Sequence, residues 1–240
     1  MKAILYVGHG TRSKKGVEEV KAFLNRVIER VDVPIQEVSF LELTEPLIDE
    51  GFQQCVEKGA TEITVVPLFL LAAGHIKDDI PEALSVLHKR FPEISVTIQD
   101  PFGVKGEILD AIAELIRGTV GSISGQDSVL VVGRGSSDPA IRENFELIRG
   151  GIKERLLIDD VTVCFLAAAE PRLQEGFHHV MEKNEGAVIV VPYLLFSGLL
   201  IAEVTQEVRK WQTKGRTICH TGPLSIHRVI EDIVVEKASL

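Results

Sequence analysis

Tyr6-Val7-Gly8-His9-Gly10 returns later in the chain as Val131-Val132-Gly133-Arg134-Gly135. Phe40-Leu41, Glu45-Pro46 and Glu50-Gly51-Phe52 return as Phe165-Leu166, Glu170-Pro171 and Glu175-Gly176-Phe177, and Val65-Val66-Pro67-Leu68 returns as Val190-Val191-Pro192-Tyr193. Every one of these pairs is 125 positions apart. Separate matches in a single register identify an internal duplication, so the chain reads as two homologous lobes. The copies differ where chemistry is expected. His9 has become Arg134, Glu42 has become Ala167, and His75 has become a leucine, Leu199 or Leu200 depending on a one-residue gap.

Working outward from the repeats, short Val/Ile-rich runs alternate with amphipathic segments. In the first half the runs at 3–7, 35–41, 62–70 and 94–98 read as strands, and 14–31, 46–58, 79–90 and 105–117 read as helices. Val17, Val20, Leu24, Val27 and Val31 recur at steps of three and four, which is one face of a helix. Pro46 and Pro81 each suit a first helical turn, where a missing N–H costs nothing. The second half repeats the strands at 129–133, 161–166, 187–195 and 216–219, again with helices between. Such alternation, with near-continuous apolar strands, specifies an α/β fold: in each lobe a parallel four-stranded sheet with helices on both faces. Gly118-Thr119-Val120-Gly121-Ser122-Ile123-Ser124-Gly125 breaks the periodicity and reads as the link. The expected lobes are 1–120, carrying the histidines, and 126–240, the degenerate copy.

Composition narrows the function. A net charge of −9 and a pI near 5.3 argue against general binding to nucleic acid or an anionic membrane. The N-terminal Met1-Lys2-Ala3-Ile4 runs straight into a strand pattern without a signal-peptide layout, and no apolar run is long enough to span a bilayer. Cys55, Cys164 and Cys219 are single, widely spaced and odd in number, which fits reduced thiols in a cytoplasmic protein rather than a zinc or redox motif.

Ligands of open parallel sheets bind beyond the carboxyl ends of the strands. His9 follows the first strand, Glu42 the second and His75 the third, so three candidate ligands or bases lead off one rim. Gly8-His9-Gly10-Thr11-Arg12-Ser13 offers flexible backbone and a helix N-terminus, with Arg12, Lys14 and Lys15 adding positive charge. It has neither the dinucleotide fingerprint nor the Walker spacing, and a tight turn holding a chance histidine would look the same. His75 alone would read as a partly buried, hydrogen-bonded side chain. The joint loss of both histidines in the second copy favours a shared role. Glu42 is lost with them. Glu45, kept as Glu170 beside Pro46 and Pro171, reads instead as a helix-start residue. His88, His178, His179, His220 and His227 read as surface or structural.

At Val7-Gly8-His9-Gly10-Thr11-Arg12, Phe40-Leu41-Glu42, Pro67-Leu68-Phe69-Leu70, His75 and Asp79-Ile80-Pro81 the chain closely resembles the sirohydrochlorin chelatases, the SirB ferrochelatase and CbiX cobaltochelatase group of the class II chelatases. The resemblance extends through Val132-Gly133-Arg134-Gly135-Ser136-Ser137-Asp138-Pro139 in the second copy. It implies insertion of Fe2+ or Co2+ into sirohydrochlorin, an eight-carboxylate tetrapyrrole, in a cleft between two lobes and with no organic cofactor. It also implies metal handling by His9 and His75, with Glu42 a less secure third catalytic residue. The chemistry agrees, because imidazoles bind divalent first-row metals and titrate near neutral pH. Arg12, Lys14, Lys77 and Arg134 are the expected partners of the substrate carboxylates.

Long cobaltochelatase members carry a histidine-rich or cluster-binding C-terminal extension. Here the sequence ends Glu236-Lys237-Ala238-Ser239-Leu240, which leans toward the ferrochelatase. The alternatives carried forward are a cobaltochelatase and a non-catalytic carrier of metal or tetrapyrrole. A monomer or homodimer is expected, with no nucleic-acid or membrane partner.

Overall fold

A computed structural model describes residues 1–72 and 77–239. In the first half β1 (Lys2–Gly8), α1 (Lys14–Ile28), β2 (Ile35–Phe40), α2 (Ile48–Glu57), β3 (Glu62–Pro67), α3 (Asp79–Arg90), β4 (Ser95–Ile98) and α4 (Gly106–Val120) follow one another. The second half runs β5 (Ser128–Gly133), α5 (Ala140–Leu156), β6 (Val161–Phe165), α6 (Leu173–Lys183), β7 (Val188–Tyr193), α7 (Leu199–Thr213), β8 (Ile218–His220) and α8 (Arg228–Ala238). All strand pairings are parallel, in the orders β2-β1-β3-β4 and β6-β5-β7-β8. The duplication read from the sequence is thus a duplication of topology.

The central strand β1 of the first sheet is buried on both faces, as the middle of a parallel sheet requires, while the edge strand β4 is largely exposed. Ala3, Leu5 and Val7 point into a core with Ile48, Phe52 and Cys55 of α2 and Ile80, Leu84 and Leu87 of α3. Ile4 and Tyr6, the alternate residues of β1, are equally buried. The Tyr6 hydroxyl donates to Gln36 Oε1 at 2.7 Å, which satisfies the one polar atom of that side chain. In the second sheet Leu130, Val132 and Cys164 meet Phe177 and Val180 of α6 and Val204 and Val208 of α7. On its other face Phe145 of α5 packs edge-on against Phe165 and Tyr193, with ring centroids 5.0 and 5.4 Å apart. Full burial of such side chains contributes roughly 1.5–3 kcal/mol each.

The repeated Glu-Gly-Phe triplet has a packing reason. A Cβ on Gly51 would sit 2.8 Å from Ser39 Cβ, and one on Gly176 would sit 2.4 Å from Cys164 Cβ. Glycine lets α2 and α6 lie directly on β2 and β6. The glutamate of the triplet caps the helix: Leu47 N–H donates to Glu50 Oε2, and Arg172 N–H to Glu175 Oε2, both at 2.8 Å. The helix-start role expected of Glu45 and Glu170 therefore belongs to Glu50 and Glu175. Pro46 and Pro171 precede the helices, each after a cis peptide bond.

The compact units do not follow the expected division at 120–126. One comprises Met1–Gly103 with Ile230–Leu240, the other Val104–Val229. The physical reason lies in α4 and α8. A Cβ on Gly151 of α5 would meet Leu109 Cδ1 of α4 at 2.4 Å, so the two helices are in close contact. Arg155 fastens the pair, reaching Asp110 Oδ1 at 2.6 Å and the Gly106 carbonyl at 3.2 Å. The C-terminal helix α8 returns to the first unit, where Glu231 and Asp232 pair with Arg26 of α1 and with Arg30 just beyond its end. Residues 118–125, the end of α4 and the segment that follows it, lie inside the second unit.

Candidate metal-handling site

The rim of the first unit is set by where three strands stop. β1 lies between β2 and β3, so the loop after β1 has a neighbour on each side. Beyond Gly8 and Phe40 the backbones stay in register: Leu41 N–H donates to the Gly8 carbonyl at 2.9 Å, and Glu42 N–H to the His9 carbonyl at 3.1 Å. On the other side Leu68 N–H reaches the Val7 carbonyl at 2.8 Å. Then β3, expected to run to residue 70, ends at Pro67, because Phe69 and Leu70 turn their carbonyls to Phe102 and Gly103 in the loop after β4.

These backbone bonds bring two of the expected residues together. His9 Nδ1 stands 3.6 Å from Glu42 Oε1, with 25 % of the histidine side chain and 49 % of the glutamate side chain exposed. The gap is too long for a direct hydrogen bond. An exposed pair of this kind contributes at most ~1 kcal/mol to stability. On the β3 side the Phe69 ring lies 6.1 Å from the His9 ring, tilted by 47°. In the sequence Phe69 reads only as part of a strand; no pattern there marks it as a neighbour of His9.

Gly10 makes the approach of the two loops geometrically feasible. Its φ is +93°, and a Cβ there would lie 1.7 Å from the Glu42 carbonyl oxygen. Gly135 repeats this at φ +87°, with 1.8 Å to the Ala167 carbonyl oxygen. The second unit also repeats the backbone bonds, Leu166 to Gly133 and Ala167 to Arg134. It thus keeps the scaffold of the rim while replacing the histidine and the glutamate.

The remaining expected residues are placed unevenly. His75 lies outside the described residues. Arg12, Lys14 and Lys77 are exposed in the first unit, and Arg134 is exposed in the second. Among the described residues no group of three or more His, Cys, Asp or Glu side chains is gathered as a metal-binding cluster. No helix among them is long and apolar enough to cross a membrane.

Three of the other histidines, His178, His220 and His227, make structural contacts. Gly222 N–H donates to His220 Nδ1 at 3.1 Å, so Nε2 carries the proton and donates to Thr205 Oγ1 at 3.2 Å. Burial, with the charge of Arg209 adding to it, holds His220 below the ordinary histidine range. His178 Nδ1 contacts the Gln174 carbonyl and its ring meets Trp211 edge-on, while His227 Nε2 faces Glu114 at 3.0 Å.

The first unit of this duplicated parallel α/β chain thus carries a histidine and a carboxylate side by side on one rim. The family model CbiX matches residues 3–119 and again residues 128–239, and this chain belongs to that family. It is 42 % identical over 227 residues to the sirohydrochlorin ferrochelatase of Priestia megaterium, covering 95 % of this chain and 85 % of that one. It is 29 % identical over 244 residues to the sirohydrochlorin cobaltochelatase of the same organism, covering 99 % and 79 %. Its fold is similar to the solved structure of SirB from Bacillus subtilis with Fe3+, at a TM-score of 0.86 and 38 % identity, with 98 % of this chain and 93 % of that one covered.

Proposed function

We propose that the chain is a sirohydrochlorin ferrochelatase, inserting Fe2+ into the tetrapyrrole to form sirohaem. The observation that carries the reading is the approach of His9 to Glu42 on the rim of the one copy that retains both. Insertion replaces two pyrrole protons with a divalent metal, so the site must hold a cation and accept protons. A carboxylate that closes to hydrogen-bond distance of a histidine's Nδ1 orients the ring and raises its basicity, the usual outer-shell arrangement of a metal-binding imidazole, and Glu42 stands within reach of that role. We assign metal handling to His9 and His75 and proton acceptance to Glu42. His75 follows Phe69 by six residues in sequence, and Phe69 stands beside the His9 ring. Arg12, Lys14, Lys77 and Arg134 are assigned to the substrate carboxylates, arginine being suited to bidentate pairing. Iron and cobalt are substrates here, no organic cofactor enters the step, and the chain works in the cytoplasm.

Iron is favoured over cobalt by the higher identity to the ferrochelatase than to the cobaltochelatase. Imidazole and carboxylate ligands do not themselves separate the two metals, so cobalt insertion in cobalamin synthesis is the second reading. The test is anaerobic absorption spectroscopy of the purified chain with excess sirohydrochlorin and either Fe2+ or Co2+. Many turnovers per chain with Fe2+ support the proposal. A higher kcat/KM with Co2+ gives the second reading, and one stoichiometric binding event without turnover makes the protein a carrier.

A further inference from the structure

The structure assigns to Thr44 the positioning of the His9–Glu42 pair, an inference that rests on the site proposed above. The Thr44 hydroxyl is bonded twice to one residue of the neighbouring loop. Thr11 N–H donates to Thr44 Oγ1 at 3.0 Å, and the hydroxyl donates back to the Thr11 carbonyl at 3.0 Å. Thr11 is two residues past His9, and Thr44 is two residues past Glu42. The hydroxyl therefore closes a ladder begun by Leu41 N–H to Gly8 and Glu42 N–H to His9. Between the last two rungs Leu43 takes a left-handed φ of 63°, and Thr44 N–H turns back to the Glu42 carbonyl at 2.8 Å. Both loops are thus fixed on either side of the pair.

The second unit shows that this hydroxyl is not needed to build the turn. Ala169 occupies the matching position, yet Ala168 has a φ of 53° where Leu43 has 63°, and Gly135 matches Gly10. The ladder bonds Leu166 to Gly133 and Ala167 to Arg134 are present too. Ser136 accepts from Asp138 N–H as Thr11 accepts from Ser13 N–H. What the second unit lacks is the bridge between loops, together with the histidine and glutamate. A hydroxyl kept only beside the reactive pair, in a turn that forms without it, holds that pair at a fixed separation.

The experiment compares Thr44→Ala and Thr44→Ser with the unaltered chain in Co2+ titration and in steady-state insertion. Thr44→Ala copies the alanine that the second unit already tolerates at this position, so folding is retained. Its Co2+ affinity and kcat are expected to fall about tenfold, the scale of losing an outer-shell partner, with KM for sirohydrochlorin unchanged. Thr44→Ser restores both. In a Glu42→Ala background Thr44→Ala adds little, because the partner it positions is gone. Thr44→Ala with unchanged Co2+ affinity and kcat overturns the assignment, as does a loss that adds in full to that of Glu42→Ala. His9→Ala is the control: if it keeps full activity the site itself is misassigned, whereas its loss beside an active Thr44→Ala rejects only the role of Thr44.

Discussion

Glu42 approaches His9 at two points: its amide donates to the His9 carbonyl at 3.1 Å, and its carboxylate stands 3.6 Å from Nδ1. The backbone bond comes from strand register, and the second unit makes it as well between Ala167 and Arg134. The side-chain contact is confined to the first unit. Duplication has therefore preserved the frame in both copies and the histidine and glutamate in one.

Removing His9 should abolish chemistry and spare the fold. The His9 side chain lies at the rim, outside the buried core, so His9→Ala is expected to keep the melting temperature within a few degrees while insertion drops by at least ~100-fold. Glu42→Gln is expected to cost roughly 10- to 100-fold, as for other partners of metal-binding histidines. Melting curves beside steady-state rates check both; an active His9→Ala removes His9 from the mechanism.

Gly10→Ala and Gly135→Ala should both destabilise, because each new Cβ would lie under 2 Å from a carbonyl oxygen at a positive φ. A cost of roughly 1–3 kcal/mol or more is expected for such backbone conflict. Only Gly10→Ala should also weaken Co2+ binding by the folded protein. Denaturant unfolding together with metal titration separates the two effects.

The thiols should react in a fixed order. Burial pushes Cys55 and Cys164 up to about 12, and each is fully enclosed. Cys219 is half-buried, and burial raises its thiol as well. A thiolate-selective reagent near neutral pH should label Cys219 first, with Cys55 and Cys164 modified only on unfolding. Peptide mass mapping after graded labelling reads the order.

His220 should make the fold acid-sensitive. Its folded state keeps the ring neutral, and its affinity for a proton lies below the ordinary histidine value. As pH falls through that ordinary value the unfolded chain takes up a proton that the folded chain does not, so stability declines toward acid and is retained above it. Melting temperatures at pH 7.5 and 5.5 should differ less in His220→Gln than in the unaltered chain. An equal difference would exclude His220 as a source.

Much of this is legible in the sequence because register is preserved. The common spacing of Gly-His-Gly, Phe-Leu, Glu-Pro and Val-Val-Pro reveals the duplicated topology, and the strand-end rule brings His9 and Glu42 to one rim. The destination of α4 is not legible, since an apolar face such as Ile108, Ile112 and Ile116 does not say which sheet it will cover. The fourth loop is hidden because its repeat, Pro101-Phe102-Gly103 against Pro223-Leu224-Ser225, falls at a different spacing. Its backbone bonds, Phe102 to Phe69 and Leu224 to Leu194, reveal the equivalence. Thr44 is inconspicuous because a threonine facing an alanine is an ordinary difference until its hydroxyl is seen to bridge two loops.

The most direct test of His9 as a metal-handling residue is a Co2+-soaked crystal structure with anomalous scattering. The expected result is one ion bound by His9 and His75 imidazole nitrogens at about 2.0–2.2 Å, with Glu42 beside it. An ion held elsewhere, with His9 turned away from it, would contradict that role.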